Sequence, residues 1–192
     1  MKGYFKKLSE KLFSNIDTDQ FLILNFDAES TDYIRFNKAK IRQAGNVKQN
    51  TITLKLINKK GKTLNSVTRI SGELQNDLKT LDNVLNFLKR ELSDLPPDKY
   101  LTFSHKNNSS EKIYPDKKIN NMVITQNILD SFINLDMVGI LSSGTICAGF
   151  ANSKGQINWH ENQSFNFDWS IYNKSGKAIK QNYSDIVWNN KK

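Results

Sequence analysis

Between residues 50 and 97 the hydrophobic period changes from two to about 3.6, and that change restricts the fold more than any other feature of the sequence. In NTITLKLINKKGKTLNSVTRI, Ile52, Leu54 and Leu56 alternate with Thr51, Thr53, Lys55 and Ile57. The KKGK connection supplies the glycine that a tight turn uses for positive φ, so a β-hairpin is predicted over 50–70. In GELQNDLKTLDNVLNFLKRELSDLPPD, Leu74, Leu78, Leu81, Leu85, Leu88 and Leu92 recur at helical spacing with charges between them, until Pro96-Pro97 ends the run. This predicts a core-facing amphipathic helix of roughly 20 residues. Nothing in its composition asks for a chemical role.

Sheet and helix segments recur on either side. MKGYFKKLSEKLF predicts an N-terminal helix with Tyr4, Phe5, Leu8, Leu12 and Phe13 along one stripe. QFLILNFDAES (20–30) predicts a strand. In DYIRFNKAKIRQA (32–44), Tyr33, Arg35 and Asn37 alternate with Ile34 and Phe36, again the period of a strand. Gly45-Asn46 suggests a turn or bulge. Residues 99–121 are polar and turn-rich and predict a long surface loop. A shorter helix is predicted over about 123–134. MVGILSSGTICAGFANSKGQINWHENQSFNFDWSIYN predicts a three- or four-stranded meander, with NSKG as one turn and HENQ as another. KSGKAIKQNYSDIVW begins a further strand or helix. The fold class is α+β: antiparallel or mixed sheets, with an N-terminal helix and a long amphipathic helix between strand blocks. No short-period internal repeat emerges. The 192 residues suffice for one domain, or for two subdomains, 1–98 and 122–192, joined by the polar loop 99–121.

No apolar run approaches the roughly 20 residues that cross a bilayer. The N-terminus lacks the apolar core and cleavage site of a signal peptide, so a cytoplasmic chain without a membrane partner is expected. Cys147, the single cysteine, excludes an internal disulfide and reads as a buried small hydrophobe in TICAGF. The formal charge is +9, and its distribution is informative. From Tyr33 to Gly72 there is no Asp or Glu, yet Arg35, Lys38, Lys40, Arg42, Lys48, Lys55, Lys59, Lys60, Lys62 and Arg69 are present. Such a stretch attracts nucleic acid, an anionic surface or an acidic peptide, although a Lys- and Asn-rich chain also carries lysines as plain solvation.

His160-Glu161 opens like the signature of a zinc-protease helix, in which two histidines a turn apart hold the metal and the Glu activates water. The second position here is Ser164, or Phe165 in the looser spacing, and the segment has period two, so neighbouring side chains point to opposite faces. His105, the other histidine, lies in the polar loop. No phosphate-binding glycine loop is present, and Ser142-Ser143-Gly144 is not a nucleophile elbow. Glu161 and Asp168 read as surface carboxylates. The residues by themselves describe a binding or structural domain with no catalytic motif and no metal site.

Two blocks together resemble a known family. YIRFNKAKIRQAGNVKQNTITLKLINKKGKTLNSVTR is similar to the N-terminal hallmark of the TldD/PmbA (TldE) proteins, in which an Arg- and Asn-bearing strand and an Arg-Gln pair precede a substrate-lining strand. GILSSGTICAGFANSKGQINWHENQSFNFDWSIYNKSGKAIKQNYS resembles the same family's run of Ala-Asn-Ser-x-Gly, Trp, Asp-Trp-Ser and Ala-x-Lys. Order and approximate spacing are kept from about residue 30 to 188.

The resemblance implies a cytoplasmic member of a metallopeptidase-related family, dimeric, often a TldD–TldE heterodimer, that acts in proteolysis of unfolded or small peptides. Historically its members are tied to modulation of DNA gyrase. Zinc is expected only in a catalytic half or a partner carrying HExxxH, which this sequence lacks. The chain would therefore correspond to the non-catalytic N-terminal domain, as a stand-alone relative or as a piece of a longer chain. Its expected role is substrate binding and dimerisation, as a homo- or heterodimer with a TldD/PmbA-type subunit. Candidate peptide-binding residues are Arg35, Asn37, Lys40, Arg42, Lys55, Asn152 and Trp159. The alternative is a basic nucleic-acid-binding module, with the acid-free stretch on phosphates and Tyr33 or Trp159 stacking on bases.

Overall fold

A computed structural model describes residues 1–104, 106–114 and 119–189. Its elements run α1 (Lys2–Phe13), β1 (Gln20–Asn37), β2 (Lys40–Asn58), β3 (Thr63–Arg69), α2 (Leu74–Leu92), β4 (Ser110–Tyr114), α3 (Asn121–Ser131), β5 (Asp136–Asn152), β6 (Ile157–Tyr172) and β7 (Ala178–Asp185). Among the described residues the strands form one antiparallel sheet in the order β3-β2-β1-β5-β6-β4, with β7 also paired to β6. The fold is α+β. The chain divides into two compact units, each assembled from three separate stretches, and the long strands β1, β2, β5 and β6 contribute to both.

The first unit comprises residues 1–28, 49–112 and 147–160. Its helices lie on the sheet face that carries Leu22, Leu24 and Phe26 of β1 and Ile52, Leu54 and Leu56 of β2. Phe5, Leu8 and Leu12 of α1 and Leu81, Leu85, Leu88 and Leu92 of α2 meet them, nearly or fully buried. Each such side chain stabilises the fold by about 1.5–3 kcal/mol relative to exposure. The α2 leucine stripe thus does what its spacing predicts, with Leu74 and Leu78 packed at the margin. Phe5 stacks on Phe26 at 5.4 Å, and Trp159 completes the ring cluster 5.8 Å from Phe26.

One buried charge organises this unit. Asp77 Oδ1 accepts from the Ser71 N–H (2.8 Å) and Ser71 Oγ (3.0 Å). Its Oδ2 accepts from the Gly72 N–H (2.8 Å) and from the Tyr4 hydroxyl (2.6 Å). The carboxylate joins α1, the entry to α2 and the turn between β3 and α2.

The second unit comprises residues 29–48, 113–146 and 161–192, with 115–118 and 190–192 outside the described residues. Here α3 covers a sheet face built from Phe36, Met137, Leu141, Phe165 and Phe167, meeting it with Ile124 and Ile128. Asn120 caps the helix by accepting from the Met122 and Val123 N–H groups. Asp32 holds the β1–β2 arm to α3: its two oxygens accept from Asn46 Nδ2 (2.7 Å) and Asn121 Nδ2 (2.6 Å). Trp188 closes the cluster against Phe165 and Tyr183.

Several expectations are corrected. Residues 20–37 form a single strand, and the chain reverses at Lys38-Ala39; Gly45-Asn46, expected as a turn or bulge, makes no reversal and lies within β2. HENQ is mid-strand in β6, so the expected meander is two long strands plus β7. The segment 99–121 is not all loop, because it contains β4. KSGKAIKQNYSDIVW supplies the strand β7. No helix of the described residues is long and apolar enough to cross a membrane.

Candidate functional site

The face of the second unit opposite α3 is open. Strand alternation sends Phe36, Met137, Leu141, Phe165 and Phe167 toward α3, and so sends Arg35 and Asn37, Val138 and Ile140, and Asp168 and Ser170 to the other side. These residues, with Arg42 of β2 and Lys180 of β7, line a hollow of about 500 Å3. Arg35, Asn37 and Arg42 are thus brought together in one hollow. Lys40 is exposed beside the turn without lining the hollow. Lys55 belongs to the first unit, opposite Asn65 of β3.

The turn of the arm brings the arginines together. A two-residue connection at Lys38-Ala39, both at positive φ (51° and 50°), folds β2 back along β1, and Arg35 and Arg42 line one hollow. Neither makes an ion pair among the described residues. Asp168 lines the same hollow, and its two oxygens accept from Asn166 Nδ2 (2.7 Å) and Asn182 Nδ2 (2.7 Å). Lys180 sits opposite Ser170 on the β6–β7 pair. The hollow is net positive with an apolar floor: Ile140 is 40% exposed there.

Asn152 and Trp159 do not present side chains to a peptide, contrary to expectation. Trp159 is 3% exposed in the core of the first unit and is equally closed to base stacking. Asn152, 2% exposed, builds a turn: its Oδ1 accepts from the Lys154 N–H (2.9 Å) and the Gln156 N–H (3.2 Å). Asn58 does the same for the N–H groups of Lys60 and Lys62, and Asn173 for those of Ser175 and Lys177. Each Asn is followed three residues later by a glycine at positive φ, Gly61 (73°), Gly155 (93°) or Gly176 (77°). One five-residue code, Asn-x-x-Gly-x, makes three hairpin turns, and Asn152 is one instance of it.

His160 and Glu161 occupy successive positions in β6 and so point to opposite faces. They cannot share a metal. His105 lies outside the described residues, and among the described residues no group of three or more His, Cys, Asp or Glu side chains is placed to hold an ion. Zinc is the metal that the resemblance assigns to a catalytic half or a partner carrying HExxxH, and the described residues offer no set of ligands for it. Cys147 is buried among the core side chains.

Sequence reasoning missed Val138, Ile140 and Lys180, which reach the arginines only through the pairing of β1 with β5 and of β6 with β7. The Ala-x-Lys pattern that includes Lys180 was the one available signal.

The architecture is an α+β chain with a long-stranded antiparallel sheet, helices packed on it, and an open basic face in the second unit. No protein-family model matches the chain, and no curated protein matches it significantly. Solved structures do match. The chain superposes on TldE from Thermococcus kodakarensis with a TM-score of 0.65 and 10% identity, over 96% of this chain and 43% of that one. A Thermotoga maritima protein assigned as a modulator of DNA gyrase gives the same score and identity, over 96% and 42%. A Bacteroides thetaiotaomicron protein with the same assignment gives 0.56 at 12% identity, over 95% and 44%. The chain has the fold found in these TldE and gyrase-modulator proteins and spans less than half their length. The fold is thus the one that the resemblance in the sequence implied.

Proposed function

We propose that this chain is the N-terminal, substrate-binding and dimerisation domain of a TldD/PmbA-like peptidase system, acting in the cytoplasm on unfolded or small peptides. Hydrolysis belongs to a TldD/PmbA-type subunit or segment bearing HExxxH and its zinc. This chain supplies binding and orientation. Support comes from the fold likeness over 96% of the chain together with the two sequence blocks that resemble that family.

The observation that carries the peptide-binding part is the open arm of the second unit. Residues 40–48 of β2 are exposed at every position, and β3 pairs only with the later stretch Thr51–Ile57. Among the described residues no strand pairs with the outer edge of 40–48. An extended peptide can add there as a further strand, its backbone supplying sequence-independent hydrogen bonds. The basic hollow adjoins this strand through Arg42. The same edge is available to a partner subunit, which links binding to dimerisation.

The test is fluorescence anisotropy with a labelled unfolded peptide and with DNA of comparable length. Peptide binding that persists when salt rises from ~50 to ~200 mM supports the proposal, because backbone pairing is not released by counterions. Tight DNA binding that collapses over that range, with no peptide binding, would favour the nucleic-acid module instead.

A further inference from the structure

Arg35 and Arg42 line one hollow, and among the described residues neither makes an ion pair. Like charges in one hollow repel, and an anion bound beside them relieves that repulsion. Arginine is the side chain suited to it: its planar fork donates two parallel hydrogen bonds to a carboxylate, and two such forks can hold both oxygens. Asp168 shares the hollow with its oxygens bonded to the amides of Asn166 and Asn182, and among the described residues it makes no ion pair with either arginine. Beside the pair, Val138 and Ile140 offer apolar surface in the same hollow. A ligand matched to it carries a carboxylate a few ångströms from an apolar side chain.

We propose that the Arg35–Arg42 pair is a carboxylate anchor that fixes one end of a bound peptide, with the neighbouring apolar side chain of the peptide on Val138 and Ile140. This rests on the peptide-binding reading and adds the chemical class that the site selects. A peptide's C-terminal carboxylate and an internal Glu or Asp share that chemistry. A terminal anchor would place the last residue in the hollow and direct the rest along β2, so that chain direction is set before a scissile bond meets any catalytic centre.

The experiment uses the whole chain and three synthetic unfolded peptides of one sequence ending in Ile. One has a free C-terminal acid, one a C-terminal amide, and one is an amide with Glu before the last residue. The acid is expected to bind roughly tenfold tighter than the plain amide, the size of one charge-assisted interaction. Arg35→Gln and Arg42→Gln should each abolish the preference for acid over amide, read as the ratio of the two affinities within each variant, while Lys60→Gln in the β2–β3 turn leaves that ratio as in the parent. Both arginine variants should remain folded, with thermal midpoints close to that of the parent, since among the described residues neither side chain makes an ion pair. Tight binding by the Glu-bearing amide, lost in the same variants, supports the anchor with a side-chain source. If acid and amide bind equally and neither arginine matters, the anchor is overturned while peptide binding stands. If none of the peptides binds, both ideas fall.

Discussion

Asp77 and Tyr4 carry the clearest pH dependence at the scale of single residues. Burial pushes the Asp77 carboxyl upward, but hydrogen bonds from Tyr4, from the Ser71 and Gly72 backbone and from the Ser71 hydroxyl outweigh it, and the net shift is downward. A depressed carboxylate contributes stability above its unfolded value of about 3.9, and that contribution is lost as pH falls through the folded value. For Tyr4, burial and the bond to Asp77 raise the hydroxyl. Its contribution is intact below the unfolded value of about 10 and is lost as pH rises beyond it. Asp77→Asn should cost about 2–4 kcal/mol at neutral pH, because an amide turns a donor toward groups that already donate. Urea midpoints measured from acid to alkaline pH should show a shallower acid limb for the variant. An acid limb identical to that of the parent would refute the assignment. Gly144 offers a second residue-scale prediction. A Cβ there would lie 2.3 Å from the Ser30 carbonyl oxygen and 2.6 Å from Thr31 Cα, both backbone atoms of the neighbouring strand. Gly144→Ala should therefore lower stability by about 1–3 kcal/mol, readable as a fall in the urea midpoint.

At the scale of elements, turn chemistry separates what could be read from what could not. The Asn-x-x-Gly-x turns at Asn58, Asn152 and Asn173 advertise themselves, since glycine supplies positive φ and Asn satisfies two backbone donors. Gly61→Ala, in open space but at φ 73°, should cost about 1 kcal/mol purely through backbone conformation. The reversal at Lys38-Ala39 gives no such sign. Two residues with side chains take the left-handed region there, so Gly45-Asn46, the only nearby turn-like pair, attracted the prediction. Ala39→Gly should stabilise the arm by about 0.4–1 kcal/mol, seen as a rise in thermal midpoint. An unchanged or lowered midpoint would mean that Ala39 contributes packing that outweighs the backbone relief. The helices α1 and α2 were legible because their apolar stripes are continuous and their partners are simply the sheet. SEKIY of β4 falls in the exposed range at every position, so no burial pattern marks it. HENQ looks like a turn by composition, yet its neighbours hold it in β6.

At the scale of the molecule, the acid-free stretch is shared between the units: Arg35, Lys38, Lys40, Arg42 and Lys48 fall in the second, Lys55, Lys59, Lys60, Lys62 and Arg69 in the first. Within the second unit, Arg35 and Arg42 are the part of that stretch that lines one hollow. Half of the candidate site was visible from alternation along one strand. The rest needed the order β2-β1-β5-β6 and the β6–β7 pairing, information carried by contacts between distant segments. The central claim is that an extended peptide lies on the open arm and face of the second unit. Titration of isotope-labelled chain with an unfolded peptide, followed by amide chemical shifts, tests it most directly. The account predicts progressive shifts for residues 40–48 and for Arg35, Val138, Ile140 and Lys180, with the α1–α2 side of the first unit unchanged. Shifts confined to α1 and α2, or none at saturating peptide, would contradict it.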